Sequence, residues 1–266
     1  MAPSTLDEGL PAPLLRASPA MSTMHLYYWK IRGLGAPCRM MLTYGGIPYT
    51  ETRYEASDSG KWFGMDKQTI ASVNPLANLP TVAPPEGEPV TQSNAVLMFI
   101  ARRAGLVGKT EEEQTKNEMV LCDVYDLRDS FVQKCYWYKR VCRDLGEWEY
   151  AKASYFEDSA RAFFNKYESW LAKAGTPFFC GSEPVCADFH VWEMVDQHRD
   201  FAADIGEQDP LASRPQLKAF YDRFRALEKL GAYFESDAYK LPINVPEMSF
   251  WSGKGSKPPA GAPAAK

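Results

Sequence analysis

The spacing of apolar and polar positions changes once along the chain, near residue 108, and the change separates two kinds of structure. Before it, short apolar or alternating runs of strand length are punctuated by turn residues. Positions 26–29, 49–54, 80–82 and 89–90 read as strands, the last two flanking a turn at 85–87. Helical spacing occupies 36–44 and 94–103. The order is therefore β-α-β, a loop, then β-β-α.

Beyond residue 108 strand signals cease and long helical patterns take over, at 111–141, 154–174, 187–200 and 215–230. In the last, Leu217, Phe220, Tyr221, Phe224 and Leu227 share one face, while Lys218, Asp222, Arg225 and Lys229 point away. Gly231 then suits a helix stop. An α/β half is followed by an all-α half, without internal repeat.

Composition narrows the function classes. With 266 residues, 45% hydrophobic and 13% aromatic, the chain has ample material for a core. A formal net charge of -4 speaks against a nucleic-acid partner, because binding phosphates takes a basic surface. No apolar run approaches the ~20 residues a bilayer span needs, so no membrane-crossing helix is expected. Cysteines at 38, 122, 135, 142, 180 and 186 form no CxxC pair, and the three histidines have no metal-ligand spacing. Zinc and dithiol chemistry thus have little support, and a reduced, cytoplasmic protein is expected.

Residues 1–23, rich in Pro, Ala, Ser and Leu, read as a disordered extension. Asp7 and Glu8 against the single basic Arg16 argue against an organelle address, and Met21 or Met24 offers an alternative start. The tail 252–266 has too little apolar content to be expected to pack.

Three segments carry the candidate chemistry. Tyr27-Tyr28-Trp29-Lys30-Ile31-Arg32-Gly33-Leu34 leaves a strand through a Gly-punctuated turn into a helix, which sets a tyrosine hydroxyl beside a helix N-terminus that favours anions. Asn78-Leu79-Pro80 leads into the β-branched pair Thr81-Val82. Thr91-Gln92-Ser93-Asn94 precedes the apolar helical run 95–101 and places hydroxyl and amide groups at a helix start, whose amide donors suit a carboxylate. Together they read as a site for a small peptide thiol. By residue pattern alone Tyr28 reads first as a strand aromatic packing in the core, and Gln92 and Ser93 as an ordinary N-cap. Tyr27 must face the other way and reads as structural.

These segments, in this order, with the spacing from Asp126 to Cys135-Tyr136, resemble the glutathione transferases, most closely the tyrosine-dependent cytosolic mu class. The resemblance runs from about residue 24 to about residue 254. It implies an α/β thioredoxin-like N-terminal domain at 24–106 that binds glutathione, an all-α helical C-terminal domain at 110–235 and a C-terminal segment at 236–251. It further implies that reduced glutathione is a co-substrate, with no cofactor or metal, and that its sulfur is added to a hydrophobic electrophile between the domains, a detoxification reaction. Tyr28 would ionise the thiol. A thiol of pKa ~8.5 is only about 3% thiolate at pH 7, and the thiolate is the nucleophile. One charge-assisted hydrogen bond supplies roughly 1.5 to 3 kcal/mol, which at about 1.36 kcal/mol per pH unit lowers the thiol pKa by about one to two.

By the same resemblance Trp29 and Leu34 border the glutathione. Gln92 and Ser93 hold its γ-glutamyl carboxylate and amine, Asn78 and Leu79 before a cis Pro80 meet its cysteinyl backbone, and Trp62 and Lys67 serve the glycyl end. Asp126 reaches the glutathione of the neighbouring subunit in a homodimer. Tyr136, Leu34, Phe250 and Trp251 line the electrophile side, Tyr136 also acting as a general acid for some substrates. On residue pattern alone Trp62 reads equally as packing and Lys67 as solvated. Asp126 also reads as part of an acidic stripe with Asp123 and Asp129, and Tyr136 as part of an aromatic cluster with Trp137 and Tyr138.

Two departures from the mu pattern stand out. Leu76 sits where an aromatic usually plugs into the partner subunit, and Val185 replaces the Ser or Thr three residues before Asp188. The helix there lacks a side-chain cap, a loss of about 1 kcal/mol. The stretch 55–73 also matches poorly. A second enzymatic reading, a glutathione-dependent thiol reductase, would use Cys38. That residue lies inside the first helix, after Pro37, with no second cysteine in reach. A third reading is a non-catalytic binder of glutathione or apolar ligands on the same fold.

Overall fold

The computed structural model describes residues 23–265, so the extension expected at 1–23 lies outside it except for Thr23. Four strands, β1 (Met24–Trp29), β2 (Tyr49–Tyr54), β3 (Thr81–Ala83) and β4 (Val90–Thr91), form one sheet in the order β2-β1-β3-β4. β1 and β2 run parallel, while β3 is antiparallel to both β1 and β4. The crossover between β1 and β2 is α1 (Gly35–Tyr44), and the polypeptide between β2 and β3 contains α2 (Ser59–Lys61), a π-turn (Trp62–Asp66) and α3 (Lys67–Ala71). After β4 comes α4 (Ser93–Ala104). This is a thioredoxin-like domain.

Alternation along β1 decides which aromatic goes where. Met24, Leu26 and Tyr28 are buried on the main core, and Tyr27 and Trp29 pack against a smaller cluster of Tyr54, Trp62, Ile70 and Ala77. Tyr27 and Tyr28 thus face opposite ways, as a period of two requires.

The second half is all helical: α5 (Glu111–Cys135), α6 (Leu145–Ser154), α7 (Arg161–Ala174), α8 (Cys186–Ile205), α9 (Pro215–Arg225) and α10 (Gly231–Glu235). No helix among the described residues is long and apolar enough to cross a membrane. α8 is the central element, with Phe189, Trp192, Val195 and Phe201 all buried. Trp192 stacks on Tyr221 and Phe224 at centroid distances of 5.2 and 5.4 Å. One continuous core joins α1 and the sheet to α8, with Tyr44 edge-on to Phe189.

Helix ends depart from the sequence expectation in several places. α9 stops at Arg225 and not at residue 230, leaving Leu227 outside it, and Gly231, expected to stop that helix, opens α10 after a short 3-10 turn at Glu228–Leu230. α5 stops at Cys135 and does not continue to residue 141: Tyr136 is extended, and Arg140 has a left-handed backbone at φ 63° after a short 3-10 turn. Tyr136 instead pairs as an isolated bridge with Ser249, so the aromatic run that imitates helical content serves the C-terminal segment. α6 was not expected. Its signal is present as Asp144-Leu145-Gly146-Glu147, where the Asp144 carboxylate accepts the Glu147 N–H at 3.0 Å and Glu147 accepts the Arg143 N–H at 2.7 Å.

The start of α8 shows how the fold compensates for Val185, which has no side-chain acceptor. The N–H of Cys186 donates to the Leu106 carbonyl at 2.8 Å, that of Ala187 to Asn117 Oδ1 at 2.8 Å, and that of Asp188 to the Val185 carbonyl at 2.9 Å. The buried Asp188 carboxyl accepts from the N–H groups of Val185 and Phe179, and burial pushes its pKa up to about 7. The missing cap is therefore supplied by α5 and the preceding loop. Val185→Thr is expected to change unfolding free energy by under about 0.5 kcal/mol, against the ~1 kcal/mol of an ordinary cap. Asn117→Ala, which orphans a buried amide, is expected to cost about 1 to 3 kcal/mol in urea melts. A full cap-sized gain in the threonine variant would contradict this account.

The tail from Ser252 is attached to the chain after α10 and to the helical domain, chiefly through its own backbone groups. Ile243 N–H donates to Ser252 O at 2.6 Å, Gly255 N–H to Asp204 Oδ2 at 2.7 Å, and Leu145 N–H to Pro263 O at 3.0 Å. Its few apolar side chains hid this from the sequence, because main-chain donors and acceptors leave no hydropathy pattern.

Candidate active site

Tyr28 lies at the C-terminal end of β1, where the chain turns through Ile31-Arg32-Gly33-Leu34 into α1. Only 3% of its surface is exposed. Its Oη accepts the Leu34 N–H at 2.9 Å, which leaves the phenolic proton free to donate. Burial raises its pKa, opposed by the charges of Arg128 and Arg39 and by the Leu34 N–H, so the hydroxyl stays a neutral donor at physiological pH. The glycines of the turn are steric requirements of this ring. A Cβ on Gly33 would stand 2.7 Å from Tyr28 Oη, and one on Gly35 would stand 2.6 Å from Cδ1. Beneath the turn, the buried Arg39 donates to Ile31 O at 2.8 Å and to Glu51, tying α1 to β2.

Across the sheet, the Leu79–Pro80 bond is cis. Asn78 N–H donates to Thr91 Oγ1 at 3.1 Å, and Asn78 Oδ1 accepts from Leu79 N–H at 2.9 Å. Gln92 precedes α4 with a strained backbone, φ 73° and ψ 123°, and its Nε2 donates to Leu76 O at 3.1 Å. Neither Gln92 nor Ser93 caps the helix, so the first amides of α4 stay open to an anion. The ordinary N-cap reading is not realised.

The resemblance-based glycyl end is divided. Trp62 is 1% exposed and packs on Tyr54 at 5.5 Å, as a core residue of the small cluster. Lys67 is half-buried, with its Nζ 5.7 Å from the Phe63 ring and no ion pair among the described residues. On the other side of the turn, Tyr136 is 5% exposed and its Oη accepts the Val245 N–H at 2.8 Å. Burial moves its pKa well above the ordinary tyrosine value.

Comparison with known proteins decides the family. Residues 24–102 match the family model for the glutathione S-transferase N-terminal domain, and residues 125–237 that for the C-terminal domain. The chain belongs to the glutathione S-transferase family. It is 34% identical over 239 residues to glutathione S-transferase Mu 3 of Homo sapiens, covering 88% of this chain and 97% of that protein. To the Mu 3 enzyme of Macaca fuscata fuscata it is 33% identical over 237 residues, with the same coverage of 88% and 97%. The fold is shared with the solved transferase Blo t 8, at a TM-score of 0.71 and 23% identity over 84% of this chain and 97% of that one.

Within this transferase frame the other expected residues separate. Leu34 is buried at the start of α1 and holds Tyr28 through its N–H, and Trp29 lies on the opposite face near Tyr54 and Phe63. Asp126 is exposed on α5. Phe250 and Trp251 go elsewhere than the electrophile side. Phe250 stacks on Trp148 at 5.7 Å, and Trp251 packs on Phe131 and Phe201 while its indole N–H donates to Asp204 at 2.8 Å. Both rings are taken up by the helical core. Cys38 is fully buried, its thiol directed at the Leu34 carbonyl at 3.4 Å, and burial pushes its pKa up to about 12, which removes it as a nucleophile.

Sequence reasoning missed Arg32 and the segment that covers the turn. Arg32 is buried against α8, donating to Glu193 at 2.9 and 2.8 Å and to Asp196 at 2.6 Å. Its backbone N–H donates to Pro242 O at 2.7 Å, and that of Gly33 to Ile243 O at 3.2 Å. Arg32 stood inside the motif, yet nothing in the sequence points from residue 32 to residues 193 and 196. A cleft of about 220 Å³ lined by Ile31, Tyr54, Pro242, Val245 and Pro246 opens beside this seam.

Proposed function

We infer that this mu-type glutathione transferase activates reduced glutathione through Tyr28 and adds its sulfur to hydrophobic electrophiles held between the domains. The observation that carries the reading is the Tyr28 hydroxyl, fixed by the Leu34 N–H with its own proton unspent. Glutathione sits along residues 24–106, its γ-glutamyl carboxylate at the open start of α4 near Gln92 and Ser93 and its cysteinyl backbone at Asn78 and Leu79. The thiol proton passes to solvent, and the Tyr28 O–H stabilises the thiolate left behind. Leu34, Ile31, Tyr136 and Val245 border the electrophile, and the acceleration comes from thiolate stabilisation and proximity. The Tyr136 proton stays available, because its oxygen serves only as acceptor for Val245, which suits a general acid. The protein acts in the cytoplasm, without a further cofactor.

The test is conjugation of glutathione to 1-chloro-2,4-dinitrobenzene. Turnover with a lowered pKa of the bound thiol supports a transferase. Glutathione binding that leaves the thiol pKa unchanged, without turnover, would move the reading to a non-catalytic binder.

The working form is a homodimer in which Asp126 serves the partner's glutathione. An apolar groove of about 610 Å³ between α5 and α7, lined by Met119, Val120, Tyr167, Trp170 and Phe179, faces solvent. The N-terminal domain presents Leu76, 66% exposed, together with Phe63 and Met65. A second copy inserting Leu76 into the groove would cover both surfaces. Leu76→Asp is expected to raise the dimer dissociation constant by more than about tenfold, and Leu76→Phe to lower it, both read by sedimentation equilibrium. An unchanged constant in the aspartate variant would place the interface elsewhere.

A further inference from the structure

Three arginines are buried among the described residues, Arg32, Arg39 and Arg214. Arg32 meets Glu193 and Asp196, and Arg39 meets Glu51. Arg214, 8% exposed just before α9, has no ion pair among the described residues. Its Nε and Nη2 donate to Asn165 Oδ1 at 3.0 and 2.7 Å, and its Nη1 donates to Pro210 O at 2.7 Å. These acceptors are neutral, and they use three of the five N–H groups of a guanidinium. A buried cation that meets only neutral oxygens is costly unless an anion reaches it.

The surroundings of Arg214 add to its charge. It lines a cleft of about 230 Å³ together with Arg161, which is exposed at the start of α7 and has no side-chain partner among the described residues. Burial lowers the Arg214 pKa, the charge of Arg161 acts in the same direction, and Glu168 opposes them. The Glu168 carboxylate is engaged elsewhere, accepting the N–H groups of Gln216 and Leu217 at 3.1 and 2.8 Å as the cap of α9. Asp209 is the one carboxylate that lines the cleft, and it accepts from Arg199 at 2.9 Å and from the Leu211 N–H at 2.8 Å. Gln208 and Ser213, both exposed, bring an amide and a hydroxyl to the same cleft. Two guanidinium groups therefore share one recess of a chain whose formal net charge is -4. A carboxylate would occupy one fork, whereas the oxygens of a phosphate dianion can accept from both.

We propose that this cleft of the helical domain is a second ligand site, which takes a phosphate dianion, free or carried as a monoester on a small molecule, between Arg161 and Arg214. All of its lining residues lie between positions 156 and 214, outside the N-terminal domain proposed to hold glutathione. The buried Arg214, fixed by Asn165 and Pro210, supplies a preformed fork at the base. Arg161 closes on the anion from the surface.

The experiment is isothermal titration calorimetry of the full-length protein with inorganic phosphate, phenyl phosphate and dimethyl phosphate, at constant ionic strength and about pH 8, where monoesters are dianions. Glutathione is kept at saturation so that the start of α4 is occupied. One site with a Kd below about 1 mM is expected for inorganic or phenyl phosphate, with the monoanionic dimethyl phosphate at least about tenfold weaker. Tighter binding of phenyl phosphate would name a monoester as the occupant, and equal binding would name free phosphate. Arg161→Gln is expected to raise Kd at least about fivefold by removing one charge-assisted contact. Arg214→Lys is expected to raise it at least about threefold, because an ammonium lacks the fork that holds Asn165 and the anion together. Weaker binding by the wild type, an unchanged Kd in either variant, or binding seen only without glutathione overturns the proposal. If Arg214→Lys does not fold, the exposed Arg161→Gln carries the same readout. Should glutathione itself fail to bind, the transferase reading falls, and the two arginine variants still decide whether phosphate occupies this cleft.

Discussion

Tyr28→Phe is expected to lower kcat/KM for 1-chloro-2,4-dinitrobenzene at neutral pH by about tenfold to about 150-fold, the equivalent of roughly 1.5 to 3 kcal/mol for one charge-assisted hydrogen bond. Phenylalanine keeps the ring between Gly33 and Gly35 and removes only the oxygen. Two effects then separate. The bound thiol, no longer stabilised as thiolate, titrates higher by about one to two pH units. The pH profile of kcat/KM moves up with it, so the deficit shrinks as pH rises and free thiolate becomes abundant. Glutathione affinity, which depends mainly on the α4 start and the Leu79 backbone, stays close to wild type. The measurement is the absorbance of bound thiolate against pH, together with initial rates over the same range. Equal rates and an unmoved titration in the mutant would remove Tyr28 from the mechanism. Loss of glutathione binding would show that removing the oxygen collapsed the turn, since the Leu34 N–H loses its acceptor too.

Arg32→Met is expected to destabilise the protein by about 3 to 5 kcal/mol, the penalty for leaving buried carboxylates without their cation. Arg32, Glu193 and Asp196 are almost inaccessible to solvent, with side-chain exposures of 5%, 0% and 9%. The Asp196 carboxylate also accepts from Tyr221 at 2.5 Å and from Tyr239 at 3.2 Å. Arg32 itself lies over the Tyr239 ring at 4.6 Å. Removing the guanidinium thus strips the cation from a cluster that joins the Tyr28 turn, α8 and the chain after α10. In urea the unfolding midpoint should drop with little change in slope. Arg32→Lys should recover only part, because one ammonium cannot reproduce the bidentate grip on Glu193. A loss below about 1 kcal/mol would mean that the cluster is no better than an exposed ion pair.

Much of this architecture is legible in local pattern. The period-two alternation of Leu26 to Trp29 separates Tyr28 from Tyr27, and the apolar stripe of α9 defines its buried face. The cis bond before Pro80 followed from the family resemblance alone, and the positive-φ backbone of Gln92 had no signal in the local pattern. α6 was legible as well, in Asp144 and Glu147, but its apolar content is too thin to announce a helix. Phe250 and Trp251 misled for the opposite reason. Apolar rings near the end of the chain suit a substrate pocket and a helical core equally, and only their neighbours Trp148, Phe131 and Phe201 decide between them.

By itself the sequence determined the family, the division into an α/β half and a helical half, and the strand end that presents Tyr28, because each follows from near-neighbour spacing and motif order. The tertiary structure alone decided how Arg32 meets Glu193 and Asp196, how Asn117 replaces the absent cap of α8, and how the C-terminal carbonyls cover the turn. Such contacts join residues 70 to more than 200 positions apart through single polar atoms. Hydropathy and spacing register which face of an element is buried, and carry no record of which distant donor meets which acceptor once it is.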